Sequence, residues 1–305
     1  MIDILERYRQ RRAREDAAAD ALFDRLLADG CTDLLEQLRP HRRNAIRMTE
    51  TDTPCTVGCS KRGGIPDLPP EIPYPVMSGY TQTRNRPVKV ILPDGKAEIR
   101  RQAGEQEHIP RRAMQLCAQI NLADTAPYDR EHLLPASGML WIFWSGDLSE
   151  ATESNRFITN TPDGDGLTEQ FAVYYYNGDL SALRLTPPPC AADKDFEKLF
   201  AEKALSFAAN YEYDREAEYI AEEYEPSDGD TARAEAYFAA VQNRIYDTRM
   251  FGFPSGANAP ELTADQVCVL QFQVNTGRIC ALYILADAEA IRRGDFSCRI
   301  DFDLD

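Results

Sequence analysis

The chain has 305 residues, 43% of them hydrophobic, so it can bury a large core in one domain or in two closely joined domains. Its 50 acidic residues exceed its 34 basic ones, and residues 113–305 hold 33 acidic against 14 basic side chains. This charge repels a phosphate backbone, which argues against a nucleic-acid ligand and favours a basic protein or small polar ligand. An acidic surface that only maintains solubility is the simpler alternative.

Eight cysteines are spread along the chain, and we find neither a secretory leader nor the roughly 18 apolar residues of a membrane span. We therefore expect a cytoplasmic protein with reduced thiols and no membrane role. The oligomeric state does not follow from the sequence.

The sequence predicts an N-terminal helical arm over residues 1–42. Apolar residues recur at helical spacing from Ile4 to Leu27, and a second short helix, Thr32–Leu38, precedes Pro40. Five arginines between residues 7 and 14 are interleaved with acidic residues, which is typical of a solvated helix face rather than a nucleic-acid patch.

The stretch SKRGGIPDLPPEIPYP, residues 60–75, begins at Ser60 and holds two glycines and five prolines. A phosphate-binding loop needs a helix directly after Gly63 and Gly64, and Pro66 with the prolines that follow it argues against one. A proline-rich docking peptide would be flanked by polar low-complexity sequence, whereas apolar residues alternate with these prolines. We therefore interpret the segment as extended scaffold over a sheet, with positive φ angles at the glycine pair.

Strands and helices alternate in blocks along the rest of the chain, which predicts an α+β fold. Alternating or continuous apolar patterns predict strands in MQLCAQINL, GMLWIFWS and FAVYYY, between residues 114 and 176. Residues 194–247 predict a helical insert, broken at residues 226–230. Three further strands are predicted at residues 267–274, 279–286 and 298–304.

Two half-repeats, about residues 55–150 and 248–305, suggest an internal duplication with a mostly antiparallel sheet. Each has a glycine-x-proline turn, ending at Pro66 in the first copy and running from Gly252 to Pro254 in the second. Each also has a strand with two amides on one face, followed by a strongly apolar strand. These amides are Gln119 and Asn121 in the first copy and Gln271 and Gln273 in the second.

The four amides are the candidate binding residues. If the copies pack about a pseudo-twofold axis, the amides could converge on a pocket for a small polar ligand or a peptide. The alternative is that they bond to loop backbone or face water.

No catalytic or metal-binding constellation is recognised, so we expect no metal and no cofactor. His41, His108 and His132 lack metal-ligand spacing, and Cys55 with Cys59 has no second pair to complete a zinc site. The DGDG stretch at residues 163–166 lacks the glutamate of a calcium loop. Ser60 lacks the nucleophile elbow of a hydrolase.

The ordered set of motifs resembles the YwqG-like family over about residues 43–305. It comprises the SxxGGxPxLP motif from Ser60, LxAQINL at residues 116–122, LPxxGxLxxF at residues 134–143, and FGxP, LLQ-like and LYxL segments near the end. The resemblance implies an internally repeated α+β domain of unknown function and an immunity-like or accessory role beside toxin systems. The chain departs from the family pattern at Arg84–Arg112, which we interpret as a long, basic, loop-like insertion.

We therefore expect the helical arm to precede one α+β domain at residues 43–305, in an acidic, non-catalytic binding protein. The alternative is an enzyme acting on a polar or cationic small molecule through carboxylates that the sequence does not identify.

Overall fold

A computed structural model of the chain shows an α+β fold built on a large antiparallel sheet. It describes residues 22–92, 96–145, 157–158, 171–190, 201–241, 248–256, 258–274 and 279–304. The helices in these residues are α1 (Leu22–Ala28), α2 (Thr32–Leu38), α3 (Leu122–Thr125), α4 (Arg215–Glu222), α5 (Thr231–Val241) and α6 (Ala288–Arg292). None of them is long and apolar enough to cross a membrane.

The strands are numbered in chain order. The first nine are β1 (Arg42–Thr51), β2 (Lys61–Arg62), β3 (Asp67–Leu68), β4 (Val76–Met77), β5 (Tyr80–Ile91), β6 (Ala97–Ile109), β7 (Arg112–Ala113), β8 (Gln115–Asn121) and β9 (Met139–Trp144). The others are β10 (Phe157–Ile158), β11 (Phe171–Tyr176), β12 (Arg184–Leu185), β13 (Lys203–Tyr213), β14 (Arg249–Phe251), β15 (Gln266–Gln273), β16 (Ile279–Asp287) and β17 (Arg299–Leu304).

Eleven strands form one sheet in the order β10-β17-β16-β15-β14-β1-β13-β2-β8-β9-β11. Its centre is the pair of β1 and β13, whose residues are matched from Arg42 with Tyr213 to Thr51 with Ala204. On each side of this pair lies a very short strand, β14 or β2, followed by a hairpin-like pair of longer strands. The two halves of the sheet therefore have the same order of long and short strands.

The helical prediction for residues 194–247 is wrong at its centre, because residues 203–213 form β13. The segment KALSFAANYEY contains good helix formers, but it also places Leu205, Phe207, Tyr211 and Tyr213 at alternate positions. Pairing with β1 on one side and β2 on the other overrides the local helix preference. Only α4 and α5 are helical in the described part of this block.

The first two helices pack against the later pair. Leu22, Leu26, Leu34, Leu35 and Leu38 are buried against Tyr213, Tyr237 and the small residues of α4 and α5. The predicted helix Thr32–Leu38 is found with those bounds. Residues 1–21 of the predicted arm lie outside the described residues.

A bulge in β8 changes which side chains share a face. Strict alternation along β8 would place Leu116 on the face of Ala118 and Ile120, but the register shifts between Leu116 and Ala118. The shift places Leu116 in the same cluster as Trp141, and therefore on the face of Gln119. β15 has its bulge at the corresponding place, between Cys268 and Leu270.

The segment predicted as a loop-like insertion is a two-stranded ribbon. β5 and β6 pair with each other from Tyr80 with Ile109 to Ile91 with Ala97, outside the large sheet. β-branched residues such as Val88, Val90 and Ile91 favour this extended structure. The prediction of a loop is therefore wrong for β5 and β6.

β11, at one end of the sheet, contacts the turn that precedes β17, which lies next to the other end. Tyr175 of β11 lies with its ring centroid 5.0 Å from that of Phe296, which precedes β17. A large hydrophobic cluster, containing Ile46, Leu140, Leu270 and Ile284 among many others, draws on strands from both halves of the sheet. We call the junction between β11 and residues 294–297 the seam.

We predict that Gly294→Ala destabilises the fold by more than the backbone conformation alone explains. Gly294 has a φ of +79°, and a Cβ there would lie 2.8 Å from Cε1 of Tyr175. The left-handed conformation costs about 1–2 kcal/mol, and the clash adds to it because the ring is held at the seam. Gly30→Ala is the matched control, since Gly30 has a φ of +75° with nothing within 4 Å of its Cβ position. Equal losses in urea unfolding free energy would contradict a tightly closed seam.

Candidate functional site

Gln119, a buried residue of β8, uses both atoms of its amide in hydrogen bonds. We call Gln119, its cross-strand neighbours Lys61 and Trp141, and the turn that it holds the first station. Its Oε1 accepts hydrogen bonds from the backbone N–H of Asp67 at 2.8 Å and from the Trp141 indole at 2.9 Å. Its Nε2 donates to Asp67 Oδ2 at 2.7 Å and to the Cys59 carbonyl at 2.9 Å. Lys61, 1% exposed, places Nζ 3.4 Å from the same Asp67 oxygen. These contacts attach the segment of residues 59–67 to the sheet.

Gln271 forms a second station on β15. Its Oε1 accepts the backbone N–H of Ser255 at 2.9 Å, and its Nε2 donates to Ser255 Oγ at 3.0 Å. The buried guanidinium of Arg249 donates to Ser255 Oγ at 2.9 Å and to the Phe253 carbonyl at 2.6 Å. Tyr283 donates its hydroxyl hydrogen to the Ser255 carbonyl at 2.9 Å.

The two stations share one plan. In each, a buried cation, a glutamine and an aromatic residue lie in register on three neighbouring strands. In each, two consecutive residues with positive φ lie where the short strand ends, namely Gly63 and Gly64 at 61° and 75° and Phe251 and Gly252 at 60° and 76°. The internal duplication stays a prediction. A duplication would explain why the two stations have matching contacts.

The four predicted binding amides do not meet. Gln119 and Gln271 lie on β8 and β15, five strand spacings apart, which is about 24 Å measured along the sheet at ~4.8 Å per strand. Asn121 accepts the N–H of Ala123 as the cap of α3 and donates to the Gly58 carbonyl at 3.2 Å. Gln273 is exposed at the end of β15. Gln119, Gln271 and Asn121 therefore hydrogen-bond to backbone groups of the turns. The described residues show no pocket that all four amides share.

Pro66 and Pro254 lie in the two turns that the stations hold. Pro66 is buried directly before Asp67, and Pro254 directly precedes Ser255. Ser60 donates its hydroxyl hydrogen to Asp124 at 2.7 Å and accepts the N–H of Asn121 at 2.9 Å. This hydroxyl bonds to a carboxylate and a backbone amide, an arrangement that fixes α3 to the turn.

The three histidines have different surroundings. His41 contacts Asp214 at 2.9 Å, His108 lies on the ribbon, and His132 is exposed with a φ of 51°. Among the described residues no group of three or more His, Cys, Asp or Glu side chains could hold a metal ion. The DGDG stretch at residues 163–166 lies outside them.

A polar cavity of about 300 Å³ lies beside the second station, near Phe251 and Gly252. Its charged groups are of both signs: Arg292 pairs with Glu289, Arg43 donates to the Gln266 carbonyl, Glu131 accepts the N–H of Asn44, and Asp265 also lines the cavity. Two basic and three acidic side chains share this lining, so it favours no single ligand charge.

A larger cavity of about 480 Å³ lies at the seam, and it is the candidate site. One wall is the end of β11, and the others are the proline-rich segment and the turn before β17. The side chains of this seam cavity are Glu71, Ile72, Pro73, Val173, Tyr174, Tyr175, Tyr176, Asp295, Phe296 and Ser297. Aromatic and aliphatic groups dominate it, and the charged groups in this lining are two carboxylates.

The aromatic walls of the seam cavity are held from behind. The Tyr174 ring lies 5.9 Å from that of Phe143, and the Tyr176 ring lies 6.5 Å from that of Trp141. Trp141 is the aromatic member of the first station, so the station also supports the cavity wall. Tyr175 donates its hydroxyl hydrogen to the Ser137 carbonyl at 3.1 Å. The rings are therefore positioned before any ligand arrives.

Both carboxylates of the seam cavity are held in the ionised form. The Tyr176 hydroxyl donates to Glu71, which lowers the pKa of Glu71 and raises that of Tyr176. Hydrogen bonds from the Ser297 hydroxyl and backbone N–H, at 2.7 Å and 3.0 Å, lower the pKa of Asp295. Burial raises the pKa values of Tyr174 and Tyr175, so their rings stay neutral. The cavity at neutral pH therefore joins two negative charges to uncharged aromatic faces.

The chain matches a family described as a domain of unknown function, DUF1963, over residues 60–297. It belongs to the DUF1963 family. The matched range contains both stations and every residue that lines the seam cavity. No curated protein matches the chain.

Sequence reasoning did not identify the seam cavity. Glu71 and Asp295 are two of 50 acidic residues, and nothing in their local sequence sets them apart. The available signal was FAVYYY, residues 171–176, where three tyrosines end an otherwise apolar strand. The pattern supports burial of the strand equally well, so it does not identify a site without the contacts across the seam.

We predict a graded loss of stability from three glutamine to leucine variants. Gln119→Leu leaves two buried N–H donors and two acceptors without this partner, and should cost at least ~3 kcal/mol of unfolding free energy. Gln271→Leu removes fewer bonds, so we expect about 2 kcal/mol. Gln273→Leu is the exposed control and should change stability by less than ~0.5 kcal/mol. Urea unfolding measures all three, and a similar loss for Gln119 and Gln273 would refute the structural role of the stations.

Proposed function

We propose that this chain is a non-catalytic binding protein whose seam cavity takes a cationic group carried on an apolar stem. The lining itself supports this proposal most directly, because its described residues combine four aromatic rings and two carboxylates and include no basic side chain. An ammonium or guanidinium group is attracted to the faces of aromatic rings and to carboxylates, while its alkyl stem gains from burial.

The ligand class follows from competing energies. A neutral apolar ligand would bury the same rings but gain nothing from the exposed carboxylates Glu71 and Asp295. An anionic ligand would meet two like charges. A lysine or arginine side chain satisfies both parts of the lining, since its stem is apolar and its end is charged.

A basic protein is the partner that best presents such a side chain. The net charge of −16 attracts a basic partner over long range, and the seam cavity supplies a local contact for it. The YwqG-like resemblance supports the finer proposal of an immunity-like or accessory role beside toxin systems. A cytoplasmic location is supported by the seven described cysteines, all of which are free thiols.

The first test uses the smallest probe of the proposed chemistry. We expect n-butylammonium, which has the stem and charge of a lysine side chain, to shift amide NMR signals of residues 173–176 and 294–297. Its few atoms limit the Kd to the order of 1–10 mM. The neutral isostere 1-butanol is the matched ligand, and it should bind at least about tenfold more weakly.

The matched protein variant is Glu71→Gln combined with Asp295→Asn. It keeps the shape of the lining and removes its charge, so binding of n-butylammonium should fall to the level of 1-butanol. Glu261→Gln, at an exposed residue outside the cavity, should leave binding unchanged. Equal affinity for the amine and the alcohol would show that the carboxylates do not contribute to binding. Signal shifts confined to other residues would show that the amine binds elsewhere.

We also predict the pH dependence of amine binding. The carboxylates attract the cation only when ionised, and their pKa values lie below the ordinary values of 4.5 for Glu71 and 3.8 for Asp295. Affinity should therefore be constant from neutral pH to about pH 5, and fall only as the pH drops through the lowered pKa values. NMR titrations at several pH values measure this, and a loss of affinity above pH 5 would contradict the assignment.

A further inference from the structure

The seam cavity lies along the outer edge of β11 rather than on one face of the sheet. Side chains of a strand alternate between the two faces, so a cavity on one face contacts every second residue. The seam cavity is instead lined by four consecutive residues, 173–176. In the described residues β11 ends the large sheet and pairs with β9 alone. The cavity therefore runs along the edge of β11 that points away from β9.

The packing of the rings shows that both faces of β11 border the cavity. Tyr174 and Tyr176 pack with Trp141 in one hydrophobic cluster. Tyr175 packs on the opposite face, in the cluster that contains Phe296. The edge of the strand lies between these two sets of rings.

The two carboxylates of the cavity lie on opposite sides of this edge. Glu71 accepts the hydroxyl hydrogen of Tyr176 on one face. Asp295 directly precedes Phe296, whose ring contacts Tyr175 on the other face. A strand added to the edge would direct one side chain toward Glu71 and the next toward Asp295, because successive side chains point to opposite faces.

The charges around the edge favour a basic strand. Asp179 adds a negative charge near Glu71, and Arg293 adds a positive charge near Asp295. Both of these neighbours are exposed, so water screens their effect. Three carboxylates and one guanidinium therefore act on the edge, and their net charge attracts a cation most strongly at Glu71.

We propose that the seam cavity takes an extended peptide of a basic partner, which adds to the outer edge of β11 as a further strand and carries two adjacent basic residues. This inference rests on the proposed function and names the form in which the partner presents its cationic side chains. Main-chain hydrogen bonds to the edge supply affinity that a free amine lacks. Two basic residues separated by one residue would both point to one face and leave one carboxylate without a cation.

The spacing is tested with two peptides of the same composition, followed at the amide NMR signals of residues 173–176 and 294–297. In acetyl-TVKKVT-amide the lysines are adjacent, whereas in acetyl-TKVKVT-amide they lie on one face. The first peptide should bind at least about fivefold more tightly than the second, and at least about tenfold more tightly than n-butylammonium. Equal affinity of the two peptides would overturn the assignment of adjacent basic residues.

Methylation of one backbone nitrogen at a time tests the edge pairing itself. In an added strand only alternate N–H groups face the neighbouring strand. Methylation at one lysine of acetyl-TVKKVT-amide should weaken binding at least about tenfold, and methylation at the other lysine less than about twofold. Each methylated peptide is the matched control of the other, since both keep the same side chains and charges. Equal effects at the two lysines would overturn the edge pairing.

The outcomes also separate this inference from the proposed function. If n-butylammonium binds at the seam but the two methylated peptides behave alike, the proposed function stands and the edge pairing is wrong. If neither the amine nor the peptides bind, the proposed function fails and this inference fails with it. Glu71→Gln combined with Asp295→Asn should weaken binding of acetyl-TVKKVT-amide at least about tenfold. An unchanged affinity in that variant would refute the role of the two carboxylates.

Discussion

The hydrogen bonds of two buried glutamines hold the sheet together where its strands are shortest. β2 has two residues and β14 has three, so neither strand can bond its neighbours over any length. The chain leaves each of them through a turn with two positive φ angles, whose backbone groups would be costly to bury unpaired. Gln119 and Gln271 bond to the residue six positions after the buried cation, Asp67 or Ser255, and so return the chain to the sheet.

This arrangement also explains why cations are buried beside the amides. Lys61 and Arg249 are each 1% exposed, and an unpaired charge at that depth would be strongly destabilising. Lys61 lies 3.4 Å from both Asp67 and Glu202, while Arg249 bonds to Ser255 and to a carbonyl oxygen. Removing a glutamine would therefore also disturb the groups that hold a buried charge, which couples turn, sheet and ion pair.

Local patterns predicted much of the sheet, whereas contacts from distant segments determined the rest. β9 and β11 were predicted because continuous or alternating apolar residues suffice to identify strands. β13 was not, since its alanines favour helix and only pairing with β1 and β2 decides otherwise. The bulge at Cys117 could not be predicted either, because an extra residue in a strand does not change the composition of the segment. The seam cavity requires residues 71–73, 173–176 and 294–297 together, and their meeting depends on the summed twist of eleven strands.

The seam cavity and the ribbon are joined by one short segment, and its anchoring decides whether they act on each other. Ile72 and Pro73 line the cavity, and the ribbon begins at Tyr80. Between them the hydroxyl of Tyr74 donates to the Met114 carbonyl at 2.9 Å, and its ring lies 5.8 Å from that of Phe143. β4 then pairs with β7, which fixes both strands of the ribbon at its base. A ligand in the seam cavity would have to move this anchored segment to affect the ribbon, so binding at the seam should leave the pairing of β5 with β6 unchanged.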